Sequence, residues 1–184
     1  MRIKGFSIML LMLSATLARG EASGLTPLGK DLVDGKRLVL HAASCSFELP
    51  GPDWKWMGYD GNKSANYVCL NPRTNAFFGV AVGKNHIPLS DHQPQSLLEN
   101  AKKAIAKRGG KIENDKYEFV EIPDVKKCVR VAFQEIESSG AKSLVIIYLI
   151  NTVDDVSVKL QCAGPNAAEP DALKTLFKSL QILK

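Results

Sequence analysis

The chain has 184 residues, of which 45% are hydrophobic, and its 24 Lys and Arg outnumber its 19 Asp and Glu for a formal net charge of +5. This is an ordinary globular composition, and so modest a positive surplus does not indicate a nucleic-acid partner. The basic cluster from Lys102 to Arg108 lies in the last turns of a predicted helix, where cations complement the helix dipole. We interpret it as a solvated helix end.

The first 22 residues have the three parts of a cleavable signal peptide. Arg2 and Lys4 form a basic start, and an apolar run extends from Phe6 to Leu17. Small residues follow between Ala18 and Ala22, which is the pattern that signal peptidase cleaves. Because a membrane span needs about 20 apolar residues, the run is too short to anchor the protein.

Residues 23–184 then form the predicted mature protein, whose length fits one domain with its own hydrophobic core. A signal peptide directs this domain to the periplasm or to the medium, and we predict no transmembrane span within it.

Four cysteines, an even number, indicate disulfides in a protein sent to an oxidising compartment, and buried free thiols are the alternative. No two of them have the spacing of a zinc or redox site, so we predict no metal. The four are Cys45, Cys69, Cys128 and Cys162.

Hydrophobic periodicity predicts three strands in the first half of the domain. Residues 44–49 alternate apolar with polar and stop at Pro50, a short strand covers 67–70, and a third covers 76–82. Turn residues between the last two are consistent with a hairpin.

An amphipathic helix follows, because Leu97, Ala101, Ile105 and their neighbours recur at three- and four-residue steps and Gly109 ends the pattern. Four more strands, at 117–122, 127–133, 143–150 and 156–162, have links short enough for an antiparallel meander. The third is apolar nearly throughout and belongs in the middle of the sheet. A helix after Pro170 closes the chain.

The meander limits the disulfide pairing. It places Cys128 and Cys162 at opposite ends of the strand between them, roughly 25 Å apart at ~3.3 Å per residue, which no disulfide spans. Of the two remaining connectivities, side-chain phase favours Cys45 with Cys162 and Cys69 with Cys128.

This order of elements, with the opening Phe47-Glu48-Leu49-Pro50, the nearby Trp54-Lys55-Trp56 and a terminal Leu-Phe-Lys-Ser-Leu helix, resembles the PsbP/Mog1/DcrB-like superfamily. The resemblance implies an α+β fold: an α/β/α sandwich with a central, mostly antiparallel sheet of about six or seven strands covered by helices. It also implies an accessory or binding role rather than an enzyme, and no cofactor.

The segment Asp53 to Tyr59 is the candidate binding region, because Trp54, Trp56 and Tyr59 are residue types that anchor interfaces. The alternative is that these rings cap the end of the sandwich. No catalytic motif stands out, since the three histidines are scattered and no nucleophile-elbow sequence occurs.

These observations predict an exported, non-catalytic binding protein that acts through a protein partner in the envelope or outside the cell. An inhibitor or immunity protein against an exported toxin is the alternative. An enzyme whose residues assemble only in three dimensions, such as an unrecognised hydrolase, is the third hypothesis.

Overall fold

The computed structural model describes residues 32–34, 36–58, 66–74, 76–84, 93–153, 156–164 and 171–183. The predicted signal peptide, residues 1–22, lies outside the described residues. The elements are β1 (Leu32–Asp34), β2 (Arg37–Leu40), β3 (Cys45–Glu48), β4 (Lys55–Gly58), β5 (Asn66–Asn71), β6 (Ala76–Lys84), α1 (Gln93–Ala106), β7 (Lys111–Phe119), β8 (Lys127–Ile136), β9 (Lys142–Val153), β10 (Val156–Gly164), α2 (Asp171–Lys178) and β11 (Gln181–Ile182).

A seven-stranded antiparallel sheet in the order β4-β5-β6-β10-β9-β8-β7 forms the centre of the molecule. The predicted meander is confirmed, since β7 to β10 are successive neighbours. β9 lies between β8 and β10, and Ile146 and Ile147 on its two faces are both fully buried. The sheet becomes continuous through β10, which pairs with β6 on one side and β9 on the other.

Two hydrophobic clusters cover the two faces of this sheet. On one face, Leu98, Ala101 and Ile105 of α1 pack on Val131 and its neighbours in β8 and β9. The end of α1 requires Gly110, because a Cβ there would lie 2.7 Å from the Ile136 carbonyl oxygen. The amphipathic stripe predicted from sequence is therefore the buried face of this helix.

The opposite face is covered by α2 and by a second, four-stranded sheet in the order β1-β2-β3-β11. Leu173 and Leu176 of α2 are fully buried there. The predicted strand at 44–49 is β3 and belongs to this second sheet. In the central sheet, the edge position next to β5 is taken by β4 instead. The α+β sandwich is thus confirmed, with the predicted number of central strands and a different first member.

The end of the chain is tied to its beginning. β11 pairs with β3, and the Ser179 hydroxyl accepts a hydrogen bond from the Glu48 amide at 2.9 Å while donating to the Leu176 carbonyl at 2.7 Å. The Thr152 hydroxyl donates to the Ala43 carbonyl, which links β9 to the second sheet. These polar contacts hold the layers in register at the rim of the core.

All four cysteines are buried and no disulfide joins them in the structure, so the predicted bond Cys45–Cys162 stays a prediction, whereas the predicted bond Cys69–Cys128 does not fit the sheet order. Cys69 lies on β5 and Cys128 on β8, four strand spacings apart or roughly 19 Å, well beyond the ~7 Å that a disulfide allows between Cα atoms. Register also separates Cys128 from Cys162, because they lie in line with Ile150 and Ile146 of β9 respectively. Cys69 and Cys128 pack as small apolar groups in the core.

Candidate functional site

The two tryptophans singled out from sequence pack against the core. Trp54 stacks on Phe78 with ring centroids 4.8 Å apart, and the Trp56 indole nitrogen donates to the Lys36 carbonyl at 3.1 Å. Both rings are half-buried against the cluster that the second sheet covers. Tyr59 lies outside the described residues, so a binding role for Trp54, Trp56 and Tyr59 stays a prediction.

The opposite edge of the central sheet, β7, presents a different surface. β7 has nine residues, pairs with β8 on one side, and is exposed over its last six residues. Tyr117 and Phe119 are 42% and 47% exposed, and they are the large hydrophobic residues that stand out as exposed in the described part of the chain. Aromatic rings left in water on a sheet edge make this surface a candidate for binding.

A β-bulge divides β7 into a covered half and an open half. Asn114 has a positive φ of 54°, and the register with β8 shifts between Glu113 and Lys116. Before the bulge, Ile112 packs beneath α1. At the bulge, Asp115 forms an ion pair with Lys102 of α1, with 2.8 Å between Oδ2 and Nζ. α1 therefore covers the beginning of β7 and leaves Lys116 to Phe119 open.

The two exposed rings contact each other on the sheet face that carries α1. Tyr117 and Phe119 meet edge to face with centroids 6.4 Å apart, and the Lys127 ammonium lies 4.8 Å from the centroid of the Phe119 ring. Sequence reasoning placed a strand at 117–122 but missed these residues as site candidates. Their alternation with Lys116 and Glu118 is the pattern of a strand with one buried face, which points to the core rather than to a binding surface.

A cleft of about 540 Å³ opens on the other face, between the end of β7 and α2. Its floor includes Tyr148, which stacks on Phe177 of α2 with centroids 4.1 Å apart. Arg130 is 13% exposed and donates from Nη1 to Glu118 Oε1 at 2.9 Å. The lining residues are Glu118, Phe119, Val120, Glu121, Arg130, Tyr148 and Phe177. The cleft combines aromatic walls with two carboxylates and one guanidinium.

Burial shifts the pKa of several side chains that lie away from this cleft in the described part of the chain. Burial raises the pKa of the Cys69 and Cys128 thiols to about 12, which keeps them protonated at neutral pH. Burial also lowers the pKa of Lys159 to about 8, but its cross-strand neighbours are Ala81 and Leu149. Among the residues that the structure describes, no group of three His, Cys, Asp or Glu side chains is placed to hold a metal ion.

Within the same residues, no helix has both the length and the apolar character needed to cross a bilayer.

Comparison with known proteins identifies the fold. No protein-family profile matches the sequence, and no curated protein matches it. The solution structure of PsbP from the cyanobacterium Synechocystis sp. PCC 6803 superposes with a TM-score of 0.57 at 13% identity, over 85% of this chain and 97% of that one.

A crystal structure from Bacteroides thetaiotaomicron matches with a TM-score of 0.51 at 15% identity, over 83% of this chain. This chain covers half the length of the Bacteroides protein. At such low identities the likeness is one of architecture, as the resemblance in the sequence predicts. The chain has a PsbP-like fold.

Proposed function

We propose that this is an exported, non-catalytic accessory protein that binds a partner protein by adding a strand of the partner to the open half of β7. The observation that carries the proposal is the exposure of Tyr117 and Phe119 on an edge strand. Strand addition uses the free backbone groups of an edge for affinity and the neighbouring side chains for specificity.

The backbone of β7 supports this mode of binding. β8 takes the hydrogen bonds of one side of the strand, and the open half continues its register without a break from Lys116 to Phe119. A strand with regular register and exposed residues presents amide and carbonyl groups at the spacing that another strand needs.

The side chains add anchors on both faces. Tyr117 and Phe119 form an exposed aromatic patch on the face that carries α1, and the cleft beside Glu118 opens on the other face. Aromatic residues contribute large contact areas at a small entropic cost, which is why they dominate binding energy at interfaces.

Export is part of the proposal and rests on the signal-peptide pattern of residues 1–22. The accessory role draws support from the PsbP-like fold, which this chain shares with cyanobacterial PsbP. Cell fractionation of the full-length chain tests the location: a mature protein that begins near residue 23 in the periplasm or medium is expected, and an uncleaved cytoplasmic protein contradicts it.

The binding surface is tested by affinity capture from the native envelope or medium. The double variant Tyr117→Ser, Phe119→Ser removes the exposed rings, and we expect it to lose at least ten-fold in partner recovery, as truncation of interface anchors does. Lys103→Ser with Lys107→Ser, on the exposed side of the last turns around α1, is the matched control.

Full recovery of the partner by the β7 variant contradicts the proposal and directs attention to the tryptophan segment. Trp56→Phe with Tyr59→Ser then tests that segment. If the protein captured through β7 is an exported toxin, the accessory function is that of an inhibitor or immunity protein.

A further inference from the structure

The two charged side chains in the open half of β7, Lys116 and Glu118, fall on one face of the sheet, in two cross-strand rows that end at the edge. In the first row Tyr148 of β9 is followed by Arg130 of β8 and then by Glu118 of β7. In the second row Ile146 and Ala132 are followed by Lys116. A strand added to β7 continues both rows, so one of its residues faces Glu118 and another faces Lys116.

Opposite charges in directly facing positions stabilise strand pairing, and like charges weaken it. The residue that faces Glu118 should therefore be basic, and the one that faces Lys116 acidic. On the other face, the residues opposite Tyr117 and Phe119 meet exposed aromatic rings, which favour apolar partners.

The cleft favours arginine at the basic position. It opens beside Glu118, and Glu121 adds a second, exposed carboxylate on its lining. One of the carboxylates, Glu118, already binds Arg130 through Oε1. Two carboxylates against one guanidinium leave the cleft acidic, and the planar fork of donors on a second guanidinium matches the geometry of a carboxylate.

We propose that the partner strand adds antiparallel to Lys116–Phe119 and carries, from its amino end, the pattern apolar, arginine, apolar, acid. The antiparallel direction follows the neighbouring pairs of the central sheet. This specificity rests on the strand addition proposed above. It assigns Glu118 and Lys116 as the residues that select the partner and Tyr117 and Phe119 as those that hold it.

A second copy of the chain fits this pattern less well. If two β7 strands pair antiparallel with Tyr117 opposite Tyr117, Lys116 of each strand faces Glu118 of the other. The same register places Phe119 of each strand opposite Asp115 of the other. Asp115 is already engaged by Lys102. A partner with an apolar residue at that position suits Phe119 better than the chain itself does.

The test uses two synthetic eight-residue peptides of identical composition, in which two central valines alternate with one arginine and one glutamate between threonine flanks. One has the order valine, arginine, valine, glutamate, and the other exchanges the two charged residues. We expect NMR titration of the full mature protein to show about ten-fold tighter binding of the first peptide, because two cross-strand pairs change sign between them.

Variants of the protein assign the preference to the two rows. Glu118→Gln and Lys116→Gln should each reduce the preference to about three-fold. The exchange Lys116→Glu with Glu118→Lys should reverse it. Because Lys at 118 faces Arg130 and could disturb folding, the two single variants carry the test if the exchanged protein loses its native spectrum.

Equal affinities, or tighter binding of the exchanged peptide, overturn the charge pattern. If both peptides bind equally and Tyr117→Ser with Phe119→Ser abolishes both, strand addition stands and the specificity falls. A dimer in sedimentation that Glu118→Gln weakens and that neither peptide dissociates overturns the proposal in favour of a second copy.

Discussion

At one edge of the central sheet, β4 has four residues and its Trp56 is bonded to the backbone just before β2, whereas at the other edge β7 has nine residues and two half-exposed rings. Both edges carry aromatic residues, yet at β4 these rings pack on Phe78 and on the second sheet. The same residue types therefore serve stability at one edge and are available for binding at the other.

The contrast has a structural origin in what lies beside each edge. The second sheet covers the tryptophans next to β4, while α1 reaches only the first half of β7 before the bulge at Asn114. Proteins commonly blunt open edges with bulges and charged residues because exposed strands aggregate. The first half of β7 follows that practice, and the second half combines charge with exposed apolar rings.

The largest effect is expected from removing the ring that covers the β4 edge. Trp54→Ala strips the stack on Phe78 from a half-buried site and should lower the free energy of unfolding by about 2 to 3 kcal/mol. Tyr117→Ala at the other edge, the matched control, should change it by less than about 0.5 kcal/mol. Urea denaturation measures both, and similar losses in the two variants contradict the contrast.

The next effect concerns the bond between β4 and the second sheet. Trp56→Phe keeps most of the ring but removes the hydrogen bond to the Lys36 carbonyl, which should cost about 1 kcal/mol. Tyr117→Phe, which also deletes one polar group from an edge aromatic residue, should have almost no effect on stability. Thermal unfolding compares the pair, and an unchanged Trp56→Phe protein speaks against the bond as a tie between the sheets.

A smaller effect of opposite sign is expected where β8 supports the covered half of β7. Glu135 faces Ile112, is 2% exposed, and binds Arg108 at 3.2 Å through one carboxylate oxygen, while the other oxygen has no hydrogen-bond partner among the described residues. Burial raises the pKa of Glu135 above its ordinary value of 4.5, although Arg108 opposes the shift. The folded protein therefore holds this proton more tightly than the unfolded chain does.

By linkage, this group contributes most to stability below pH 4.5, and its contribution falls as the pH rises through the folded-state pKa. Glu135→Gln should abolish that loss and stabilise the protein near neutral pH by up to about 1 kcal/mol. Urea titrations between pH 4 and 8 measure it, with Glu99→Gln on the exposed side of α1 as control. A variant that is less stable than wild type at pH 7 but equal at pH 4 reverses the expected sign.

The smallest effect belongs to the ion pair that fixes the bulge to α1. Asp115→Asn removes the contact with Lys102 and should cost about 0.5 kcal/mol or less, since both side chains are partly exposed. A double-mutant cycle with Lys102→Met isolates the coupling, which should shrink in 1 M salt. Coupling that persists at high salt shows instead that the pair holds the bulge by geometry.

The long elements were predictable because their patterns repeat. The helix α1 has an apolar stripe and is followed by glycines that end it. The strand β9 has a nearly continuous apolar run, which is typical of a central strand. The second sheet escaped prediction because β1, β2 and β11 have two to four residues each, too few for periodicity to register. β11 also pairs with β3, which lies more than 130 residues earlier in the chain, and local sequence does not reveal such a contact.

The site proposed from the structure differs from the segment predicted from the sequence for a physical reason. Tryptophans between turn residues suggest exposure, yet tertiary packing places Trp54 and Trp56 against the core. Tyr117 and Phe119 alternate with charges as a buried strand face does, and they remain exposed because α1 ends its cover before them. Local pattern indicates which face a ring occupies, and neighbouring elements decide whether that face is covered.

The position of β10 between β6 and β9 also constrains when the protein can fold. As the chain emerges from its amino end, the β5–β6 hairpin and the β7–β9 ladder can each form, but within the described residues no strand pairs with both of them until residues 156–164 arrive. Contacts between distant segments form slowly because the intervening loop must first close. The central sheet of a chain built this way becomes continuous only after most of the chain has been synthesised.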